Sequence, residues 1–205
     1  GHYYHDGTLA PELTWSRDAV HWNRVERGTP VIARGPAGAF DHGFVVATMS
    51  PHVIKDEIWV YYTGAKCTFA CGAKYHGQPA SEDHAHDREK HQAMAIGLAR
   101  WKLDRLVSLD ADGTFRSVIT KPLQFSGNSL TVNADAAEGE LQVELLDTSG
   151  NAIGGYNADQ CEALQSDSLS HTVRWAGKPR LPDQRPLRLR FKIRNASLYS
   201  FQIKE

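Results

Sequence analysis

The side chains best suited to chemistry are concentrated in one polar segment between two predicted strands, residues 64–92. A connection longer than about 12–15 residues without secondary structure of its own is usually functional or disordered. Thiolates and imidazoles are ligands that Zn²⁺ and copper ions accept in proteins. The segment therefore offers a candidate metal site, with Zn²⁺ as the expected ion, and its candidate ligands are Cys67, Cys71, His84 and His86.

The same segment also supports a plainer interpretation. The spacing Cys-x3-Cys followed by His-x-His matches no common zinc module, and six charged residues between positions 82 and 90 make the segment strongly solvated. A polar specificity loop, in which His84, His86 and His91 contact a ligand directly, explains the sequence without a metal. Under that interpretation no cofactor is expected, and both interpretations stay open at this stage.

The elements that position this segment are predicted to be strands. Strand signals separated by Gly, Pro, Asn and Asp recur along the chain, and helical periodicity is hard to find. In the first half, strands are predicted at 44–54, 57–64 and 93–103, with a fourth beginning at 106–109. The strand at 57–64 is apolar on both faces, which places it in the interior of a layered structure. The chain is therefore predicted to be all-β.

A turn near the N-terminus indicates the kind of β architecture. Ser16 and Asp18 can accept hydrogen bonds from backbone N–H groups that follow them, and Trp22 can pack back on the hairpin that they close. A Ser-x-Asp turn followed four residues later by Trp is typical of hairpins in β-propeller blades. This motif holds two strands together and carries no catalysis.

The second half of the chain has a cleaner pattern. After Asp110-Ala111-Asp112-Gly113, which is a plausible boundary, apolar and polar residues alternate strictly at 140–145 and 187–194. Strands with one apolar and one polar face build antiparallel sheets that are wet on one side. Residues 111–205 are therefore predicted to form an antiparallel β-sandwich, and residues 1–110 a separate domain.

Charge and composition exclude two classes of partner. The formal net charge is -1, so no global field attracts nucleic acid, and the basic face of 188–194 is explained by pairing with the acidic face of 140–144. No apolar run approaches the roughly 20 residues that span a bilayer. The three cysteines are an odd number and leave the redox compartment open. We expect a secreted or periplasmic location rather than a cytoplasmic one.

Several short motifs occur in a characteristic order: Ser16-x-Asp18…Trp22, Phe40-Asp41-His42-Gly43, Ser50-Pro51-His52-Val53, and the segments 57–62 and 95–99. Together they resemble the last blades of five-bladed β-propeller proteins related to glycoside hydrolase families 32 and 43. The segments 105–110, 120–123 and 139–144 are similar to the transition into the C-terminal β-sandwich of bacterial members. The resemblance covers nearly the whole chain.

The resemblance implies hydrolysis of glycosidic bonds in a polysaccharide or oligosaccharide, for which such enzymes use a pair of carboxylates. The family 32 motifs for the nucleophile and the stabiliser are absent, and the Glu-Cys of the general acid occurs only reversed, as Cys161-Glu162. No catalytic residue can therefore be assigned. A blade needs about 40–50 residues, so residues 1–110 supply about two blades of a partial β-propeller.

We therefore expect the chain to be the C-terminal portion of a glycoside hydrolase-like protein, inactive in isolation, whose partners are carbohydrate and the remainder of the propeller. The alternative is a non-catalytic module in which the β-sandwich binds carbohydrate or is purely structural. The sugar, the linkage and the stereochemical outcome cannot be read from this sequence, because the separation of two carboxylates decides the last of these.

Asp41 and His42 are the candidate substrate-binding residues outside the polar segment. They precede the strand 44–54, and because the next strand runs back, the segment 64–92 is predicted to leave the sheet at the same end. In a propeller of the resembled kind that end faces the substrate funnel. Asp41 could hydrogen-bond sugar hydroxyls or cap its own turn, since Asp before Gly is a common turn signal.

Overall fold

The structure, a computed structural model, describes residues 8–47, 50–66, 94–183 and 186–205. The chain divides into two compact units, Gly1–Trp101 and Lys102–Glu205. The described residues form strands β1 to β13 and one short 3₁₀ turn, and the strands build several antiparallel sheets of which none is closed. The predicted all-β class is thereby confirmed. No helix in the described ranges has the length and apolar character needed to cross a membrane.

A hairpin of β1 (Thr14–Ser16) and β2 (Trp22–Arg24) opens the first unit. Asp18 Oδ1 accepts the backbone N–H groups of Val20 and His21 at 2.9 and 2.8 Å, which closes the turn as predicted. The side-chain hydrogen bond from His21, followed by these backbone bonds, holds the pKa of Asp18 well below its usual range. Trp22 Nε1 donates to the carbonyl of Ala19 at 3.2 Å, but its side chain stays 61% exposed.

The main sheet of the first unit is centred on β5 (Glu57–Ala65). Strands β3 (Phe44–Ala47) and β4 (His52–Ile54) pair antiparallel with successive parts of β5, and β6 (Ala95–Lys102) also pairs with β5. The predicted strands 57–64 and 93–103 are confirmed within one or two residues at each end. The predicted strand 44–54 is confirmed only in part: it is present as the two separate strands β3 and β4, and the described residues 50 and 51 belong to neither.

The second unit contains two sheets. Their strands are β7 (Leu109–Ala111), β8 (Arg116–Ile119), β9 (Ser129–Asp135), β10 (Glu140–Leu146), β11 (Asp167–Thr172), β12 (Arg188–Arg194) and β13 (Ala196–Lys204). One sheet has the order β11-β9-β13-β7 and the other the order β10-β12-β8.

Both sheets of the second unit bury their apolar faces in one hydrophobic core. The alternation predicted for β10 and β12 is responsible, because every second side chain of each strand points into this core. Trp175 lies in it with no exposed surface, donates its Nε1–H to the carbonyl of Val143 at 2.8 Å, and meets the ring of Tyr156 edge-on at 5.3 Å.

The polar faces of β10 and β12 pair with each other, as the sequence predicted. Glu144 lies opposite Arg190, and Glu140 lies opposite Arg194. Arg190 Nη1 contacts Glu144 Oε2 at 2.7 Å, and Arg194 makes a short ion pair with Glu140. The cross-strand partner of the basic strand is therefore an acidic one, which accounts for its charge within the fold.

A buried arginine fixes the start of the second unit. Arg105 is enclosed, with a side chain only 7% exposed, and contacts Asp167 Oδ1 at 2.6 Å and Asn133 Oδ1 at 2.8 Å. Its guanidinium also lies 4.5 Å from the ring centre of Tyr199. Lys102 is the second cation on Asp167, at 2.5 Å.

This arrangement corrects one sequence-based expectation. The pattern at 106–109 indicated a fourth strand of the first half, but Leu109–Ala111 instead pairs with β13 and forms an edge of the second unit. The second unit also begins earlier than the predicted boundary after residue 110, because the anchored segment around Arg105 belongs with it. The assignment of propeller and sandwich domains stays a prediction.

Candidate functional site

Asp41 and His42 are the sequence-predicted site residues that lie in the described part of the structure. The others, Cys67, Cys71, His84, His86 and His91, lie outside the described residues. The Zn²⁺ hypothesis and the specificity-loop hypothesis therefore both stay predictions. Within the described ranges, no group of three or more His, Cys, Asp or Glu residues is arranged to hold a metal ion.

The turn that carries Asp41 is closed by backbone hydrogen bonds. The N–H of His42 donates to the carbonyl of Ala39 at 3.3 Å, and the N–H of Gly43 donates to the carbonyl of Ala65 at 2.8 Å. Arg34 Nη1 donates to the carbonyl of His42 at 2.6 Å. These bonds fix the turn without the carboxylate of Asp41, and they place it beside the end of β5, where the polar segment begins.

The carboxylate of Asp41 is instead held by a side chain of β5. Asp41 is only 7% exposed, and its Oδ2 accepts a hydrogen bond from the hydroxyl of Tyr62 at 2.8 Å. Tyr62 lies on β5, and its ring stacks on Phe40 with 6.0 Å between the ring centroids and an interplanar angle of 16°. A buried polar group is costly unless it is hydrogen-bonded, and this bond gives the phenol its acceptor and Oδ2 of Asp41 a donor.

Three glycines make the close packing around this pair possible. A Cβ atom at Gly35 would lie 2.1 Å from Asp41 Oδ1, and one at Gly64 would lie 2.5 Å from Asp41 Cβ. A Cβ atom at Gly97 would lie 2.2 Å from Cζ of Tyr62. Each distance is far below van der Waals contact, so any side chain at these positions would displace Asp41 or Tyr62.

The environment also fixes the protonation of Tyr62. Burial, and then the hydrogen bond and negative charge of Asp41, raise the pKa of Tyr62 above its ordinary value of 10.0. The phenol therefore keeps its proton throughout the neutral range and acts as a donor. The folded pKa is above the unfolded one, so the pair stabilises the fold fully below pH 10 and loses this contribution as pH rises further.

The arrangement is a rigid hydrogen-bond acceptor at one end of a sheet. A carboxylate offers about four acceptor sites, of which Tyr62 occupies one. The neighbouring His42 is exposed, so an imidazole that can donate or accept lies next to the carboxylate in the chain. A carboxylate and an imidazole are chemically able to accept hydrogen bonds from O–H or N–H groups.

Sequence reasoning found Asp41 and His42 but missed Tyr62, Gly35 and Gly97. Gly64 had a detectable signal, because an isolated glycine inside a strand pattern often marks the close approach of another group. Tyr62 had none, since an aromatic residue on an apolar strand is usually part of a core.

We expect Gly64→Ala to destabilise the first unit by about 1–3 kcal/mol, as overpacking of a tight site does. The added methyl would meet both Cβ and the backbone Cα of Asp41, which cannot move away as a flexible side chain can. The control is Gly154→Ala, because a Cβ atom there meets nothing within 4 Å. Urea denaturation followed by far-UV circular dichroism measures both, and equal midpoints for the two variants would contradict the tight packing.

Comparison with known proteins supplied no relative for this chain: no protein-family model, no curated protein and no solved structure matches it significantly.

Proposed function

We propose that this chain contributes propeller strands and the following β-sandwich to a larger glycoside hydrolase-like protein that acts on a polysaccharide or oligosaccharide. Asp41, assisted by His42, binds hydroxyl groups of the glycan in this proposal. Most of the catalytic carboxylates belong to the remainder of the propeller. The observation that carries the proposal is the buried Asp41 carboxylate, held by Tyr62 between two glycines.

The function of Asp41 as a turn cap would not require this arrangement. Backbone hydrogen bonds already close the turn. Because residues 35 and 64 are glycines, no side chain at either position displaces Asp41. Sugars present many hydroxyl donors, and an ionised carboxylate that is fixed in place is a strong acceptor for them.

The exposed face of the main sheet supports the larger assembly. Arg100 lies 5.8 Å from the ring centre of Trp59, so the face of β6 that carries Ile96 and Leu98 is also the face of Trp59 and Tyr61. Ile96 is 77% exposed, and Leu98 and Tyr61 are each 39% exposed. A sheet buries its apolar faces against other layers, and exposed apolar patches often mark interaction sites. Neighbouring blades would provide such a layer.

The second unit supports the sandwich and keeps the alternative function open. Its two sheets share one core, which is the arrangement of a β-sandwich. It also has a groove of about 380 Å³, whose lining includes Phe191, Phe201, Tyr199, Ser108 and Thr120. Aromatic rings with hydroxyls nearby suit sugars, so this groove is the specific observation in favour of a non-catalytic carbohydrate-binding sandwich.

The test uses the full chain and affinity electrophoresis in gels that contain neutral polysaccharides. Asp41→Asn is expected to weaken glycan binding by about ten- to a hundredfold, because a hydrogen bond to a charged group contributes roughly 1.5–3 kcal/mol. Asp56→Asn is the matched control, since Asp56 is exposed in the turn between β4 and β5.

Two results would contradict the proposal. Equal retardation of Asp41→Asn and Asp56→Asn would remove Asp41 from the binding site. Loss of binding in Phe201→Ala, with Asp41→Asn unaffected, would assign carbohydrate binding to the groove of the second unit instead.

A further inference from the structure

We infer that Tyr62 is the positioning residue of this site: its hydroxyl fixes the orientation in which the Asp41 carboxylate meets a ligand. The inference rests on the proposed function only in supposing that a ligand uses Asp41. The coupling between Tyr62 and Asp41 stands on geometry alone.

The ring of Tyr62 has little freedom. Phe40 stacks on one side of it, and β6 approaches it so closely at Gly97 that a Cβ atom there would lie 2.2 Å from Cζ, the carbon that carries the hydroxyl. The position of the hydroxyl oxygen is therefore set by packing of the ring. Because the hydroxyl lies 2.8 Å from Asp41 Oδ2, a ring fixed in this way also fixes that oxygen.

The remaining contacts restrict Asp41 rather than bind it. Gly64 lies against its Cβ and backbone, and Gly35 lies against Oδ1. Close packing limits where the carboxyl group can be, but a directional hydrogen bond decides how it is rotated. Among the described contacts of Asp41, the bond from Tyr62 is the one that provides this direction.

Tyr62 acts on Asp41 as a hydrogen-bond donor. Because an ionised carboxylate accepts hydrogen bonds and cannot donate them, the protonated phenol is the donor of this bond. Among the described contacts, Tyr62 takes one acceptor position of Asp41, and a ligand would use another. The pair therefore recognises hydroxyl groups, which are the dominant donors of neutral sugars. A phenylalanine at position 62 would keep the packing of the ring and lose only this control.

The experiment compares Tyr62→Phe with Tyr61→Phe in the full chain. Tyr61 is the neighbouring tyrosine on the opposite face of β5 and is partly exposed, so it controls for the loss of one hydroxyl. The first readout needs no ligand: it is the side-chain carboxyl ¹³C resonance of Asp41 at pH 7. We expect this resonance to move in Tyr62→Phe and to stay in place in Tyr61→Phe, with the amide spectra of both variants otherwise native.

The second readout is the affinity for the polysaccharide that the wild-type chain retains best. Tyr62→Phe is expected to weaken it by about three- to tenfold, which is about 0.7–1.4 kcal/mol, because the carboxylate stays but loses its fixed orientation. Tyr61→Phe is expected to leave it unchanged. An unmoved carboxyl resonance in Tyr62→Phe overturns the inference. So does an affinity equal to that of Tyr61→Phe. If the wild-type chain binds no glycan, the proposed function fails, and the carboxyl resonance still decides whether Tyr62 positions Asp41.

Discussion

Replacing Trp175 with alanine is expected to lower the free energy of unfolding of the second unit by about 3–5 kcal/mol. The side chain has no exposed surface, and it touches the core formed by both sheets. The substitution removes the largest apolar group of that core and leaves a cavity. It also leaves the carbonyl of Val143 without its bond from Nε1, which adds the cost of an unsatisfied buried acceptor.

The matched control is Phe115→Ala in the same unit. Phe115 is 47% exposed, and the guanidinium of Arg194 lies 4.7 Å from its ring centre. Phe115→Ala is expected to lower the free energy of unfolding by less than about 1 kcal/mol. Equilibrium urea denaturation followed by circular dichroism gives both values. A similar loss for the two variants would mean that the two sheets do not share a core at Trp175.

Arg105→Met is the second substitution with a large expected effect. It is expected to lower the free energy of unfolding of the second unit by about 2–4 kcal/mol. The variant keeps the length of the aliphatic stem and removes the guanidinium, so Asn133 and Asp167 each lose a partner. Removing one member of a buried ion pair is strongly destabilising. We expect a value below the usual maximum, because Asp167 is one-third exposed and keeps Lys102.

The response to acid provides a second measure of the same cluster. Hydrogen bonds from Lys102 and Arg105 hold the pKa of Asp167 below its ordinary value of 3.8. The folded pKa is lower than the unfolded one, so the stabilisation is present above about pH 4 and is lost as pH falls through the lowered pKa. Arg105→Met should therefore show a smaller loss of stability below pH 4 than the wild-type chain.

Arg116→Met is the control for this prediction. Arg116 pairs with Asp112, but both side chains are about two-thirds exposed, and an exposed pair contributes less than about 1 kcal/mol. If Arg105→Met and Arg116→Met lowered the free energy of unfolding equally, the buried cluster would contribute no more than a surface ion pair.

The fold was predictable for strands that have one buried face and one solvent-exposed face. Alternation at 140–145 and 187–194 determined both the strands and their pairing, because a register shift of one residue would have turned every leucine to solvent. Strand β11 runs over Asp167–Thr172 without such alternation, and its pairing with β9 is irregular between Ser168 and His171. Positions 167, 168 and 170 are polar and Leu169 is the one apolar residue among these four, which is too few for a period-two pattern.

The candidate site was predictable only in part. Strand direction placed the Asp41 turn beside the end of β5, and the bond from Gly43 to Ala65 confirms that placement. The partner of the carboxylate could not be predicted, since Tyr62 lies 21 residues away and the contact depends on how the turn folds over the sheet. The cluster around Arg105 was missed for the same reason, because its partners come from β9 and β11.

The most direct measurement is a titration of the isotope-labelled chain with a neutral oligosaccharide, followed by backbone amide NMR. The account predicts that the amide resonances of Gly35, His42, Gly43 and Gly64 shift with ligand concentration, and that these shifts disappear in Asp41→Asn. Shifts confined to residues 102–205, or shifts at the Asp41 turn that persist unchanged in Asp41→Asn, would contradict a glycan site built on this carboxylate.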